Sequence, residues 1–238
     1  MNDGETVFVV DSESASRHRL CELVQSMKLR HEAYSLAQDF LACFSSDRPG
    51  CAILEVRIPD IGGLQLQQHL AERTPGLPVI FHSAHVSVPV VVRAIQGGAV
   101  NFLQKPADEQ ELWDSIQQAL QIDRQRRVKA AKAESCRQKL ALLSDKELEV
   151  LQLMAQDKST QAIARELQIS VRTVEFRRAR MLNKLHFKSP LQMSHFAIRV
   201  FGGQAAEEVP LALSFGSAIA VGGNGHERRN ATQSIEST

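Results

Sequence analysis

The stretch LSDKELEVLQLMAQDKSTQAIARELQISVRTVEFRRARMLNKLHF, Leu143–Phe187, reads as three short helices in succession. Each start is marked. Ser144 and Glu147 form a capping box ahead of ELEVLQLMA, Ser159 or Thr160 opens a second helix, and Ser170 caps a third after a break at Leu167–Ile169. Ser189-Pro190 supplies a cap and an N1 proline for a fourth helix. The third helix carries Arg172, Arg177, Arg178, Arg180 and Lys184. A basic helix braced by two small ones has the shape that enters a DNA major groove.

Helical periodicity divides that third segment into two faces. Val174, Met181 and Leu185 fall on one face and are expected to pack on Leu148, Leu151, Ile163 and Leu167. Arg172, Thr173, Glu175, Phe176, Ala179, Arg180 and Asn183 then point outward. Among these, Arg can take guanine bidentately, Glu can accept from cytosine N4, and Phe can meet a thymine methyl. Lys184 and Lys188 are expected to neutralise phosphates, a role that sets affinity without reading sequence. Arg177 is expected at the core edge, its stem buried. Phe187, Met193 and Phe196 are expected in the core or on a dimer face formed by the fourth helix.

Charge separates this region from the rest. Residues 1–120 hold 9 Lys/Arg against 15 Asp/Glu, whereas residues 121–200 hold 17 against 8. Only the second region suits a polyanion. The four cysteines, Cys21, Cys43, Cys51 and Cys136, lack zinc spacing and are expected to be reduced packing residues. The N-terminus lacks the pattern of a secretory signal, and Val209–Val221 is too short and interrupted to span a bilayer. A cytoplasmic protein without a membrane partner is expected. Residues 202–238 are rich in Gly, Ala and Ser and are expected to be a flexible tail.

Residues 5–120 alternate short apolar runs with helix-length segments. The runs are Thr6–Val10, His31–Ser35, Cys51–Val56, Pro78–Ser83 and Val100–Gln104, with helices such as Ser14–Met27 and Leu64–Glu72 between them. Each run is expected to be a strand covered on both faces. Five such units imply a doubly wound, five-stranded parallel sheet, with chemistry at the carboxyl ends of its strands. Asp108–Lys139 is expected to be one helix, packed through Leu112, Ile116 and Leu120. From 121 to 142 it is expected to run as a solvated linker to the all-α, four-helix domain at 143–201.

VFVVDSE, ILEVRIPDIGGLQL, PVIFHSAH and AVNFLQKP resemble, in order and spacing, the four signatures of receiver domains of bacterial two-component response regulators. LSDKELEVLQLMA, STQAIARELQIS and VRTVEFRRARMLNKL resemble the LuxR-type helix-turn-helix of the same FixJ/NarL family. The resemblance implies a CheY-like receiver, DNA as ligand, and DNA contacts from Arg172, Thr173, Glu175, Phe176, Ala179 and Lys184. It makes Asp11 and Ser12 the metal-binding acidic positions and Glu55 the phosphoacceptor equivalent. Ser83 becomes the hydroxyl switch, Lys105 the phosphate-binding lysine and Phe102 the switch aromatic.

Two of the three acidic positions depart from the family pattern. Ser12 is a poor substitute for a carboxylate in the octahedral oxygen shell that Mg²⁺ demands. No cofactor is therefore expected, and Mg²⁺ binding is put in doubt. Glu55 is one methylene longer than Asp, about 1.5 Å of displacement, where errors on the order of 1 Å cost ~100-fold in transfer. Three readings stay open. In one the receiver no longer takes phosphate, and Glu55 reaches Lys105 and Ser83. In a second phosphorylation is retained, and in a third the sheet only packs or dimerises. His82 and His85, three apart, are not expected to bind metal. The expected molecule is a homodimeric, non-enzymatic, DNA-binding transcription regulator with an atypical receiver, its partners double-stranded DNA and a sensor kinase or regulatory protein. A phosphorylation-controlled regulator, or an adaptor with vestigial DNA binding, is the alternative.

Overall fold

A computed structural model describes residues 4–73 and 76–202 of the chain. The expected flexible tail, beyond Gly202, lies outside the described residues. Strands β1 (Thr6–Val10), β2 (Arg30–Tyr34), β3 (Gly50–Leu54), β4 (Val79–Ser83) and β5 (Asn101–Gln104) form one parallel sheet in the order β2-β1-β3-β4-β5. Helices α1 (Ser14–Ser26), α2 (Ala37–Cys43), α3 (Gly63–Arg73) and α4 (Val88–Gln96) connect them. The residues of β1, β3 and β4 are buried throughout, as strands covered on both faces must be. One face packs Phe8, Phe40, Leu54, Leu66 and Phe81, and the other packs Val7, Leu20, Ile53, Ile80 and Ile116.

The second strand departs from expectation. Its sequence RHEAY is exposed or half-buried along its length. It lies at the sheet edge, where polar side chains are tolerated and discourage further pairing. Glu32 there pairs with Arg48, and Tyr34 donates a 2.7 Å hydrogen bond to it.

Helix α5 (Glu109–Ala141) runs unbroken for 33 residues, about 50 Å at 1.5 Å per residue. Asp108 caps it by accepting from the amides of Gln110 and Glu111. Leu112, Ile116, Ala119 and Leu120 pack on the sheet. The segment from 121 to 142 is mostly exposed, yet its first two turns are anchored to the sheet. Asp123 is fully buried and accepts from the Gly50 amide at 3.0 Å, from Arg126 at 2.8 Å and from Arg127 at 2.7 Å. Arg127 in turn donates to the carbonyls of Ser46, Asp47 and Arg48. Gly50 has φ +155°, and a Cβ there would meet the Thr6 carbonyl oxygen at 1.9 Å, so this close approach admits no side chain. The helix therefore stays on the sheet for two turns longer than its apolar spacing suggests. Its far end enters a second core through Cys136 and Leu140.

That core is closed by α6 (Asp145–Ala155), α7 (Thr160–Glu166), α8 (Val171–Lys184) and α9 (Pro190–Phe201). Val174, Met181 and Leu185 are buried beside Leu151 and Ile163, with Leu148 and Leu167 packed against them. The Ser144–Glu147 capping box forms, and Ser159, Ser170 and Ser189 each accept from a backbone amide three residues on. No helix among the described residues is long and apolar enough to cross a membrane.

Replacing Asp123 by Ala removes the shared buried acceptor of Arg126, Arg127 and the Gly50 amide. Loss of one partner from a buried charged cluster costs ~3–5 kcal/mol. Asp123→Ala is expected to lower the urea midpoint of the first domain accordingly, and a loss under ~1 kcal/mol would show that the cluster does not hold the helix.

Candidate functional site

Parallel topology gathers four residues at the carboxyl edge of the sheet: Asp11 after β1, Glu55 after β3, Ser83 closing β4 and Lys105 after β5. The ammonium of Lys105 lies 2.7 Å from Asp11 Oδ2 and 2.7 Å from Glu55 Oε2. A third carboxylate, Glu13, is 3.6 Å away. Glu55 Oε1 accepts from the Val56 amide at 2.7 Å and from the Ser83 hydroxyl. Asp11 accepts from the Glu13 amide at 2.9 Å and the Ser16 hydroxyl at 2.7 Å. Gly63 packs its backbone against this loop, where a Cβ would meet the Glu55 carbonyl oxygen at 2.1 Å.

Electrostatics follow from burial and pairing. Burial pushes the Glu55 carboxyl up, but hydrogen bonds from Lys105 and Ser83 with the Lys105 charge outweigh it and leave the group below its ordinary value. Burial pushes Lys105 down, and its bonds to Asp11 and Glu55 outweigh that, so it stays firmly charged.

These residues do not fit Mg²⁺ as they stand. Asp11 and Glu55 carry donors on all four carboxylate oxygens, and an ammonium sits between them. A divalent ion would have to displace that ammonium from both carboxylates. Ser12 does not join the cluster: it is exposed, its hydroxyl 3.4 Å from the Arg57 carbonyl. Among the described residues no group of three His, Cys, Asp or Glu side chains is arranged to hold a metal.

Phe102 is half-buried and stacks on Phe81, ring centroids 5.7 Å apart. His82 and His85 do not converge. His85 is exposed, while His82 is buried with both ring nitrogens unpartnered. Burial, then the nearby Lys105 charge, pushes His82 down to about 4, so the ring is neutral at pH 7.

On α8, Arg172, Glu175, Phe176, Ala179, Arg180 and Asn183 are exposed and Thr173 is half-buried. The Arg180 guanidinium lies 5.9 Å from the centre of the Phe176 ring. Arg177 donates to the Lys146 carbonyl at 3.2 Å, and Arg178 to the Thr160 hydroxyl at 2.8 Å. Lys188 is exposed. Lys184, expected at a DNA phosphate, is half-buried and paired within the domain. Its ammonium is 2.6 Å from Glu147, a carboxylate only 2% exposed, with Arg180 Nε 3.6 Å from the same group. The outer face of α4, unforeseen from sequence, is apolar: Val88, Val92 and Ile95 are 77%, 45% and 48% exposed. Their spacing in VPVVVRAIQ was the available signal.

Comparison with known proteins matches both halves. Residues 7–117 match the response regulator receiver domain, and residues 141–197 match the bacterial regulatory proteins of the luxR family. The transcriptional regulatory protein TdiR of Thauera aromatica is 39% identical over 83% of this chain and 87% of its own length. This chain belongs to the LuxR-type response regulators. The transcriptional regulatory protein FixJ of Bradyrhizobium diazoefficiens is 30% identical over 81% of this chain and 94% of FixJ, so the regulator is of the FixJ type. The structure of the response regulator StyR superposes with TM-score 0.74, at 34% identity over 82% of this chain and 99% of StyR. This FixJ-type regulator is a DNA-binding protein that carries a receiver domain.

The lowered Glu55 value sets a pH dependence. A group whose folded pKa lies below its unfolded value contributes stability above the unfolded value and loses it as pH falls through the folded one. Wild type should therefore exceed Glu55→Gln in urea midpoint at pH 7, and the gap should close in acid below the ordinary carboxylate range. A gap independent of pH would assign the difference to packing. Lys105→Met leaves two buried carboxylates facing each other and should cost ~3–5 kcal/mol.

Proposed function

We propose that this protein is a cytoplasmic, homodimeric transcription regulator whose receiver is held by its own carboxylate in place of a phosphoryl group. The observation that carries this reading is the Lys105 ammonium bound at 2.7 Å to both Asp11 and Glu55, with the Ser83 hydroxyl also given to Glu55. Phosphoryl oxygens would need the same two donors. In-line transfer depends on positioning and on a metal that neutralises developing charge, and Glu55 offers a nucleophilic oxygen already bonded to Lys105. A regulatory protein that docks on the receiver remains a partner under this reading, and a kinase would find no productive acceptor.

Helix α8 is assigned to the DNA major groove. Arg172, Thr173, Glu175, Phe176, Ala179 and Arg180 would face bases or sugar-phosphate, and Lys188 a phosphate. Lys184 is assigned the bracing of α8 on α6 through Glu147, with at most a secondary share in phosphate contact. The working units are residues 5–120 and 143–201, joined by α5. Pairing through α9 is supported by Leu191 and Ile198, 63% and 49% exposed at helical spacing. A dimer of this kind would bind paired half-sites about one turn apart.

Acetyl phosphate with Mg²⁺, followed by intact mass, tests the receiver: no phospho-adduct is expected, and a stoichiometric adduct on wild type overturns the reading. In gel shifts, Arg180→Ala should cost ~1–3 kcal/mol of DNA affinity if it reads a base. Lys184→Ala should mainly lower the thermal midpoint of the second domain. A Lys184→Ala protein of unchanged stability with a salt slope lower by about one would instead make it a phosphate contact.

A further inference from the structure

Where the end of α5 meets α9, a cleft of about 490 Å³ is lined by Lys139, Phe187, Gln192, His195, Phe196 and Arg199. No carboxylate of the described residues lines it. Phe196 is buried and forms the floor, and the half-buried Phe187 ring, 5.4 Å away, forms a wall. The Lys139 ammonium lies 4.8 Å from the centre of the Phe187 ring and 5.9 Å from that of Phe196. The Arg199 guanidinium lies 5.8 Å from the centre of Phe196. Two like charges are thus gathered about one ring, and neither has a salt bridge among the described residues. The ring faces attract each cation but carry no net charge to offset their mutual repulsion. Across Arg199 a second hollow, lined by Val128, Ala131, Lys132 and Ser135, adds another ammonium and again no carboxylate.

We propose that this α5/α9 cleft binds a small aromatic anion, its carboxylate or phosphate held between Lys139 and Arg199 and its ring set against Phe187. A guanidinium fork pairs bidentately with either anionic group, and an ammonium adds a point charge. Gln192 gives its Oε1 to the Lys188 amide at 2.8 Å, which leaves its NH₂ donors for the ligand. His195 is exposed at the rim and can supply an N–H. The volume falls within the range of organic ligands, and the aromatic wall favours a planar apolar body over an aliphatic acid. Gln192 and Arg199 each follow Leu191 and Ile198 by one position, about 100° further round α9. The cleft therefore opens beside the stripe assigned to pairing. An anion held there bridges the end of the connecting helix to α9, and so joins α5 to the DNA-binding domain.

Titration calorimetry and NMR of the full-length chain test the site, with phthalate and phenyl phosphate as probes at up to millimolar concentration. Each should bind saturably, one per chain, and shift the Arg199 Nε–H and His195 ring signals. Benzamide lacks the charge and inorganic phosphate lacks the ring, so each should bind about tenfold or more weakly. Arg199→Ala should weaken both aromatic anions about tenfold or more. Arg165→Ala, which removes an exposed charge on α7 outside the cleft, should leave them unchanged. Gln192→Glu keeps an acceptor for the Lys188 amide and places a carboxylate in the cleft. It should abolish binding with the thermal midpoint unchanged, and it serves as the test if Arg199→Ala does not fold. No saturable binding of either aromatic anion, equal affinity for benzamide or inorganic phosphate, an equal loss in Arg165→Ala, or undiminished binding in Gln192→Glu overturns the proposal.

Discussion

The receiver is organised around one cation. Lys105 Nζ touches carboxylates that arrive from β1 and β3, and the Ser83 hydroxyl links β4 to the same cluster. Four strand ends therefore share one electrostatic centre. Without the ammonium, two nearly buried carboxylates would repel at short range, and one would protonate or the loops would part. With it, each acid has a cationic partner and backbone or hydroxyl donors, the condition under which buried charge is tolerated. The extra methylene of Glu55 has a positive consequence here. It carries the carboxylate far enough into the pocket to meet Lys105 and Ser83 together, while Oε1 still takes the Val56 amide. The same geometry leaves Ser12 on the rim with no partner in the cluster and leaves the metal without a vacant oxygen.

A second constraint, the continuity of α5, carries the first domain into the second. Its first turns lie on the sheet through Leu112, Ile116 and Leu120, and Asp123 then ties it to the Gly50 amide at the amino end of β3. Its last turns contribute Cys136 and Leu140 to the other core, while Lys139 lies 4.8 Å over the Phe187 ring. Neither proline nor glycine interrupts the helix, which removes two of the usual causes of a sharp kink. A displacement at either anchored end would be carried along one hydrogen-bonded rod instead of being absorbed by a flexible connection.

Much of this was legible from residue order alone. The sheet, its helices and the second domain follow from period-2 and period-3.6 patterns that the structure honours, and β1 spans Thr6–Val10 as read. Parallel topology pointed to the strand ends, and the resemblance to receiver domains singled out Asp11, Glu55, Ser83 and Lys105 there. What escaped depended on partners distant in sequence. Asp123 looks like one more charge in QIDRQRR until Gly50, 73 residues away, is placed beside it. Lys184 reads from sequence as a groove residue, and its ion pair with the buried Glu147 is visible only in the fold. His82 flanks a motif serine and drew attention as a weak metal candidate, yet only three-dimensional packing shows an imidazole without a partner. The apolar face of α4 was visible as helical spacing, but spacing cannot say which apolar face the fold leaves uncovered.

The Glu147 contact also bears on how α8 can read a sequence. This carboxylate completes the capping box of α6 by accepting from the Ser144 amide at 2.8 Å, and it binds Lys184 in the last turn of α8. One buried acid thus fixes the carboxyl end of α8 to the amino end of α6. The lysine sits where the helix dipole favours a cation, so the bond adds to an existing preference. Arg180, one turn earlier, is held between the edge of that acid and the Phe176 ring, which restricts a side chain that would otherwise lose rotamer freedom on binding, about 0.5–1.5 kcal/mol for such a group. The amino half of α8 is held by Val174 in the core and by Arg177 on the Lys146 carbonyl, while Arg172, Glu175 and Phe176 project into solvent. A helix-turn-helix reads bases mainly with the amino-terminal residues of its second helix. Anchoring the carboxyl end on α6 leaves the exposed amino-terminal side chains free to change without loosening the core beneath them.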